Sequence, residues 1–534
     1  MDIPWLHTEH SLKTLAFSGV FLLFAFMCKK EEEKPVQSFD LYQVFEINSR
    51  LLNRSVTYAV LLPEEYNAGH DSFPVVYLLH GFGDNFTAWK LGGNIEYYAR
   101  AYTTVTGPVI YIMPDGYNSY YVNRYNGKFP YMDMFVNELV PAVDSLFRTR
   151  KGSIHRAVMG YSMGGYGAMI LPLKHPEIFS TGVCLSMSFR TDEQYLTEPQ
   201  SVFDYQFGAI FGGTGSSGTG RITEYFKEHS PFYLFRAEDL SPYSHLRFLI
   251  DCGDDEEQLN ITNDDLHVLM RQQNLPHSYR VRNGAHSWDY WYASLPEAFG
   301  FIADGFHQQN LSTDQEIPYS LTYPAPAQFD SITTSGNTAT VHIVKPPSYK
   351  ETEKYPSIYI FSEDDRNEIS GQSLDRFALL NDAMIKGKIP PALIVNIPHL
   401  STDDLIGNIQ LIIATTDSLF HTIASPGKRI ALGFGNTGAD MLSVVRSYPG
   451  TYGSCFLYNA DIPDSAIEPA SGVFYYLDQT DDNASYTGYN RMYKQLKYNN
   501  MPFEYRVRQS TTPFNAMQTG LYYSLHNMYL KLSN

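Results

Sequence analysis

Short apolar runs alternate with helix-like segments along the first half of the chain, from about residue 38 onward. The runs are rich in β-branched residues, which favours strands. They are TYAVLLP (57–63), PVVYLLH (74–80), PVIYIMP (108–114), HRAVMGY (155–161), TGVCLSM (181–187) and LRFLID (246–251). The segments between them include residues 131–149 and 261–274. Continuous apolar strands separated by helices predict an α/β fold, in which helices cover both faces of a mostly parallel sheet.

The second half of the chain repeats this plan. TVHIVKPPSY matches AVLLPEEY, YPSIYIFSEDDRN matches FPVVYLLHGFGDN, and RIALGFGNTGADM matches HRAVMGYSMGGYGAM. Near the end, MPFEYRVRQSTTPF matches LPHSYRVRNGAHSW. A shared tripeptide would carry no weight, but matches in the same order predict the duplication of a whole domain. Residues 309–326, rich in Gln, Ser, Thr and Pro, are typical of a linker between the copies.

Length, charge and cysteine content narrow the classes of function. The 534 residues suffice for roughly two to four domains that each bury a core. A formal net charge of -18 argues against binding nucleic acid or anionic membranes, because both need basic surfaces. The cysteines lack the paired spacing of a disulfide framework or a zinc site, and we expect neither a metal nor a cofactor. Cys184 and Cys252 lie in apolar runs and are expected to be buried thiols.

The N-terminus carries an almost uncharged apolar run, residues 14–28, which ends at Cys28. It is short for a membrane span and is typical of a signal-peptide core. With the charged CKKEEEKP that follows, it resembles a bacterial lipoprotein signal, in which Cys28 would be the lipid-modified residue. The acidic run resembles surface-export signals of lipoproteins in the Bacteroidetes. We therefore predict a signal over residues 1–28 and a tether over 29–37, with a cleaved signal and a periplasmic or secreted protein as the alternative.

GYSMGG, residues 160–165, stands at the end of a predicted strand and has the G-x-S-x-G form of a nucleophile elbow. Such an elbow is a sharp turn between a strand and a helix, and it would expose the Ser162 hydroxyl above the sheet. Side chains at Gly160 or Gly164 would collide with neighbouring backbone, and the amino end of the following helix favours negative charge. Short patterns of this kind also recur by chance, so a purely structural glycine turn is the alternative.

Partners for this serine follow in the order that a hydrolase of this fold needs, an acid and then a histidine. The carboxylate cluster CGDDEE (252–257) comes at the end of a predicted strand, and His286 comes just after the strand-like residues 277–283. His286 would accept the Ser162 proton and return it to the leaving alcohol, while the acid orients the imidazole. This order and placement favour catalysis over a packing role for His286.

Stabilisation of an oxyanion needs two backbone N–H groups near the serine. One should come from the residue after the nucleophile, Met163, and the other from the loop after an early strand. That loop is HGFGDN (80–85), in which Phe82 is the candidate donor.

Together these pieces resemble the putative-esterase family of α/β-hydrolases. This family includes S-formylglutathione hydrolase, feruloyl and acetyl-xylan esterases, siderophore esterases and mycolyltransferases. The shared motifs are YLLHGFGDN, MPDGYNSYY, GYSMGGYGAM, IDCGDDE and GAHSWDYW, and they cover residues 38–308. The resemblance implies an α/β-hydrolase fold and a serine esterase with a Ser-His-acid triad.

The acid departs from the pattern of this family. The family's acid usually stands three residues after the glycine of the DCG run, and that position is Glu256 here rather than Asp. Glutamate is one methylene longer, so the loop must lie further back. Asp255 is the alternative acid, and Asp254 is a further neighbour that could replace it.

The second copy, residues 327–534, has lost this chemistry at the positions that align. Ser162 corresponds to Gly435, His286 to Thr512, and HGFGD to residues 362–366, SEDDR. Carboxylates then stand where an oxyanion would need stabilisation, and only the acid region, LDQTDDN, stays similar. We predict a degenerate domain that covers an apolar face of the first or holds a glycan near it.

These observations predict an exported serine esterase that removes feruloyl or acetyl groups from complex carbohydrate. The substrate class rests on the resemblance and on export, because an exported enzyme meets polymers. Two alternatives stay open. One is an acyltransferase that uses the same triad, as mycolyltransferases do, and the other is a glycan-binding lipoprotein without turnover.

Overall fold

The computed structural model describes residues 40–309, 321–322, 329–333, 339–365, 368–463, 468–509 and 512–533. The predicted signal, the tether and Cys28 lie outside these residues, as does most of the predicted linker. Export and lipid modification therefore stay predictions from the sequence. Among the described residues, no helix combines the length and the apolar character that a membrane crossing requires.

Residues 40–309 form eight strands and a series of helices. The strands are β1 (Tyr42–Ser49), β2 (Arg54–Leu61), β3 (Val75–Leu79), β4 (Ile110–Pro114), β5 (Arg156–Tyr161), β6 (Thr181–Leu185), β7 (Arg247–Gly253) and β8 (Ser278–Arg282). The helices are α1 (Ala88–Leu91), α2 (Ile95–Ala101), α3 (Thr103–Thr106), α4 (Tyr131–Met134), α5 (Val140–Leu146), α6 (Met163–Lys174), α7 (Asp192–Thr197), α8 (Gln200–Val202), α9 (Ala209–Phe211), α10 (Glu224–Glu228), α11 (Pro231–Leu234), α12 (Leu259–Gln272) and α13 (Trp288–Phe306). Short π-helical segments occupy Phe135–Leu139 and Phe203–Gly208.

Within its described residues, the second half follows the same succession of strands and helices. Its strands are β9 (Asp330–Thr333), β10 (Thr340–Val344), β11 (Ser357–Phe361), β12 (Leu393–Ile397), β13 (Arg429–Phe434), β14 (Ser454–Tyr458), β15 (Phe474–Thr480) and β16 (Phe503–Arg508). Its helices are α14 (Gly371–Ile385), α15 (Thr402–Leu419), α16 (Thr437–Ser447), α17 (Tyr486–Tyr498) and α18 (Pro513–Ser533).

All these strands join one 16-stranded sheet in the order β1-β2-β4-β3-β5-β6-β7-β8-β16-β15-β14-β13-β11-β12-β10-β9. The second half therefore has the strand order of the first, read from the opposite edge. From β4 to β8 the pairing is parallel, while β1 and β2 are added antiparallel. The predicted α/β-hydrolase fold with a mostly parallel sheet is confirmed.

The two halves meet where β8 pairs antiparallel with β16, with Val281 opposite Val507. Helices α12 and α17 also contact each other across this boundary. Because equivalent elements of the two halves meet in antiparallel fashion, an approximate two-fold axis passes between them. Sequence patterns did not indicate that both halves share one sheet.

Helices cover both faces of the first half, as the continuous apolar strands predicted. Every residue of β3, β4, β5 and β6 is buried. Helix α6 packs on β5 and β6, and α13 packs against β6 and β7. Cys184, Cys252 and Cys455 are free and buried, and burial raises the pKa of the Cys184 thiol. The prediction of buried, unpaired thiols for Cys184 and Cys252 is confirmed.

The local differences from the predicted elements have simple causes. The predicted helix over residues 131–149 is divided into α4, a π-helical segment and α5. Pro141 lies in the first turn of α5, directly after the π-helical segment, and has no N–H to donate to the preceding turn. The run predicted as a strand over 181–187 ends at Leu185, because Ser186 has a left-handed φ of 47° that turns the chain.

Candidate active site

Ser162 occupies a strained turn between β5 and α6. Its φ is 57° and its ψ is -120°, a left-handed backbone conformation that costs a non-glycine residue about 1–3 kcal/mol. Two backbone hydrogen bonds hold the turn. The Ser162 N–H donates to the Leu185 carbonyl oxygen at 2.9 Å, and the Ser188 N–H donates to the Ser162 carbonyl oxygen at 3.0 Å. The strand that follows in the sheet thus supports the serine.

The glycines around Ser162 are required by close approach of backbone segments. A Cβ atom at Gly160 would lie 2.2 Å from the Gly164 carbonyl oxygen, and one at Gly164 would lie 2.2 Å from the Leu79 carbonyl oxygen. Real side chains do not tolerate such distances. The geometry therefore agrees with the interpretation of GYSMGG as a nucleophile elbow.

Glu256 and His286 are brought into direct contact. His286 Nδ1 lies 2.7 Å from Glu256 Oε2. The Glu256 side chain is 1% exposed and the His286 side chain 38% exposed, so a buried carboxylate meets an imidazole at the surface of the site. Asp255, the alternative acid, is exposed. Asp254 is buried but turns away, toward Arg506 of the second half.

The second oxygen of the Glu256 carboxylate also accepts hydrogen bonds. Glu256 Oε1 accepts a hydrogen bond from the Gly253 N–H at 3.1 Å and another from the Ser186 hydroxyl. Ser186 Oγ in turn accepts from Trp291 Nε1 at 2.8 Å. Both Glu256 carboxylate oxygens therefore have hydrogen-bond partners, and these bonds fix the orientation of the carboxylate toward the His286 imidazole.

Ser186 and Trp291 were not among the residues predicted from the sequence. Ser186 directly follows β6, at the carboxyl end where this fold gathers its site residues. A polar residue at that position was the available signal. Trp291 packs its ring against His286, with ring centroids 5.1 Å apart, and against Tyr161, with centroids 4.4 Å apart.

The predicted oxyanion loop is anchored through His80. The His80 side chain is 1% exposed. Its Nε2 accepts from the Gly116 N–H at 2.7 Å, so its Nδ1 carries the proton and donates to the Gly81 carbonyl oxygen at 2.7 Å. The Tyr121 hydroxyl donates to the His80 carbonyl oxygen at 3.0 Å. The MPDGYNSYY motif thus holds the loop that contains Phe82.

This loop lies beside Ser162. A Cβ atom at Gly81 would be 3.4 Å from Ser162 Cβ and 2.7 Å from the Tyr161 ring. Among the described residues, neither the Phe82 N–H nor the Met163 N–H donates to another protein group. Both predicted donors therefore remain available to an oxyanion, and Met163 also stands at the amino end of α6, which favours negative charge.

Ser162 and His286 occupy the same carboxyl edge of the sheet but are not hydrogen-bonded to each other in the described part of the chain. They are linked through Trp291, which touches both His286 and the neighbour of the serine, Tyr161. Hydrogen bonds between a nucleophile and its base often tighten only when substrate binds. None of the described residues form a cluster of metal-binding side chains.

The second half has an equivalent turn with a glycine in place of the serine. Gly435 follows β13 as Ser162 follows β5, and its φ is +50°. A Cβ atom there would lie 2.6 Å from Glu363 Oε1, so a carboxylate occupies the space above this turn. Three residues after the end of β15 stands Asn483, where β7 is followed by Glu256. The resemblance of the acid region therefore does not extend to the acid itself.

Comparison with known proteins gives matches to the first half of the chain. Residues 49–302 match the family model described as putative esterase. An acetyl esterase of Caldicellulosiruptor saccharolyticus is 23% identical over 281 residues, covering 49% of this chain and 98% of that protein. An endo-1,4-beta-xylanase/feruloyl esterase of Xylanibacter ruminicola is 29% identical over 175 residues, covering 32% of this chain and 23% of that protein. A solved structure of a ferulic acid esterase is 23% identical, with a TM-score of 0.42, and covers 50% of this chain and 98% of its own.

The contact with His286 predicts which acid matters. Glu256→Gln should lower kcat by a factor on the order of 10³ to 10⁴, because an amide no longer holds the imidazole in the tautomer that accepts the serine proton. The matched control is Asp255→Asn, which removes an adjacent exposed carboxylate. Steady-state rates on an aryl ester would measure both, and a larger loss in the Asp255 variant would contradict the assignment.

Proposed function

Given that residues 49–302 belong to the putative esterase family, we propose that Ser162, His286 and Glu256 form the catalytic triad of a serine carboxylic-ester hydrolase. The observation that carries this proposal is the buried Glu256 carboxylate on His286 Nδ1, at the edge of the sheet where Ser162 stands in its strained turn. The remaining imidazole nitrogen, Nε2, is left to exchange a proton with the nucleophile.

In the proposed reaction, His286 Nε2 takes the proton of the Ser162 hydroxyl as Oγ attacks the ester carbonyl carbon. The carbonyl oxygen becomes an oxyanion and accepts hydrogen bonds from the Phe82 and Met163 N–H groups. When the ester C–O bond breaks, His286 returns the proton to the leaving alcohol. Water then attacks the acyl-serine in the same way, which releases the carboxylic acid and restores Ser162.

An aromatic surface next to the oxyanion loop suggests the acyl group. The Phe82 ring packs edge-on against Tyr205, with centroids 5.6 Å apart, and lies tilted against Tyr120, with centroids 6.1 Å apart. Tyr205 is 69% exposed on the π-helical segment, so its ring can stack on an aryl group. Together with the acetyl and feruloyl esterase relatives, this favours an aryl acyl ester on a complex carbohydrate, which also suits the export predicted from the sequence.

The assignment predicts that Ser162→Ala and His286→Ala each lower ester turnover by a factor on the order of 10³ or more. A panel of aryl, acetyl and feruloyl esters should give free acid and the lowest KM for the feruloyl ester. Near-wild-type rates in both variants would contradict the triad and favour a glycan-binding protein. Acylated sugar or lipid in place of free acid would identify an acyltransferase.

We propose in addition that the second half is a duplicated copy of the esterase domain without activity. Gly435, Asn483 and Thr512 stand where the triad residues stand in the first half, and Glu363 lies over the turn. Carboxylates at this place raise the energy of an oxyanion. The repeated strand order and the shared motifs support the duplication.

A restored serine should therefore not restore activity. Gly435→Ser in a Ser162→Ala background should give no more ester turnover than Ser162→Ala alone. The new hydroxyl would face Glu363, and Thr512 stands where His286 stands in the first half. A burst of acyl-enzyme on the second half, or turnover clearly above that of Ser162→Ala, would refute the proposal.

A further inference from the structure

The two halves differ at the catalytic positions but agree at the positions that join them. Asp254 in the first half corresponds to Asp481 in the second, and the YRVR sequences of β8 and β16 align. Each aspartate binds the arginine of the opposite half, Asp254 with Arg506 and Asp481 with Arg280, both at 2.7 Å. The copy that lost its chemistry thus retains a contact with the turn that carries Glu256.

On the catalytic side, Asp254 connects three segments of the site. Its side chain is buried, and its Oδ2 accepts from Arg506 Nη1 and from the Tyr505 N–H at 3.0 Å. Its Oδ1 accepts from the Gly284 N–H at 3.2 Å, two residues before His286. Burial raises the pKa of Asp254 while Arg506 opposes that shift. The second half therefore binds the acid turn and, through Asp254, the histidine loop.

Lys497 of α17 makes a second contact with the same turn. Its ammonium donates to the Glu256 carbonyl oxygen at 2.8 Å, to the Asp254 carbonyl oxygen at 3.4 Å and to the Tyr493 hydroxyl at 3.0 Å. An ammonium has three N–H groups, and each has an acceptor here. Two of the three acceptors are backbone atoms of the turn that carries the proposed acid.

The glutamate at position 256 gives a physical reason for the contact between Lys497 and this turn. A glutamate has one more rotatable bond than an aspartate, so it loses more rotamer freedom when it is held in one position. Its turn must also lie further from the histidine than an aspartate turn would. Lys497 contacts the backbone of that turn, and Arg506 contacts the Asp254 side chain.

We propose that the second half is a positioning element of the active site. Lys497 and Arg506 hold the turn Asp254–Glu256 at the distance from which the Glu256 carboxylate reaches His286. This inference rests on the proposed triad, and it assigns a role to the half that has no triad. Neither Lys497 nor Arg506 contacts a reacting atom, and both act through Glu256.

The test uses the full chain and measures kcat, KM and thermal unfolding together. Lys497→Met should lower kcat by roughly 10- to 100-fold, the cost of a displacement of about 1 Å, with little change in KM. Lys497→Arg should keep most of the wild-type kcat, because a guanidinium is accommodated at this place. Arg271 stands at the equivalent position of the first half, 3.7 Å from Asp481. Arg506→Lys is a second variant that keeps the charge but loses the fixed guanidinium geometry, and it should also lower kcat.

The matched control weakens the equivalent contact on the other side of the boundary, between Asp481 and Arg280. Asp481→Asn weakens the same kind of ion pair with Arg280 at the same boundary, but on the turn that carries Asn483 in place of an acid. It should leave kcat unchanged even if the unfolding temperature falls. Equal losses of kcat in the Lys497→Met and Asp481→Asn variants would mean that both act only through stability, and that result would overturn the proposal.

A double mutant separates this proposal from the triad on which it rests. If Lys497 acts through Glu256, Lys497→Met should cause almost no further loss of kcat in a Glu256→Gln background. The same fold-loss in both backgrounds would refute the positioning role and leave the triad standing. A Glu256→Gln variant with wild-type kcat would refute the triad, and this proposal with it.

Discussion

The hydrogen bond between Glu256 and His286 is the interaction on which the rest of the site depends. It requires β7 and β8 to end side by side, so that the acid turn and the histidine loop meet at one edge of the sheet. It also requires that the Glu256 carboxylate does not rotate. The Ser186 hydroxyl and the Gly253 N–H restrain it by donating hydrogen bonds to its second oxygen. A buried charge with all these partners is stable, whereas the loss of one partner would leave it partly unpaired.

The same turn shows how the second half, which we propose to be inactive, is tied to the half that carries the proposed triad. Edge strands expose unpaired backbone groups, and β8 and β16 cover each other's edge. Around that pairing, the Asp254–Arg506 and Asp481–Arg280 contacts are nearly the same on both sides of the approximate two-fold axis. Asn483 and Thr512 stand where Glu256 and His286 stand in the first half. Under the proposed triad, contacts of the same kind therefore affect catalysis on one side alone.

The buried strands and the candidate site residues could be predicted, because both leave local patterns in the sequence. Continuous apolar runs indicated the buried parallel strands, and the order of serine, acid and histidine singled out Ser162, Glu256 and His286, which the structure brings to one edge. The exposed, alternating strand β1 was missed because it has no continuous apolar run. Ser186, Trp291 and Lys497 were missed because their partners are distant along the chain. No local pattern reports that Lys497 lies against Glu256, or that two halves with matching motifs share one sheet.

The most direct test of the account is covalent labelling of the full chain with an aryl phosphonate ester, which traps an activated serine. Mass spectrometry of the digested protein should find one adduct per chain, on the peptide that contains Ser162, and labelling should stop in the His286→Ala variant. No adduct should form in the second half. An active, inhibited enzyme with its adduct on another residue, or equal labelling without His286, would contradict the central claim.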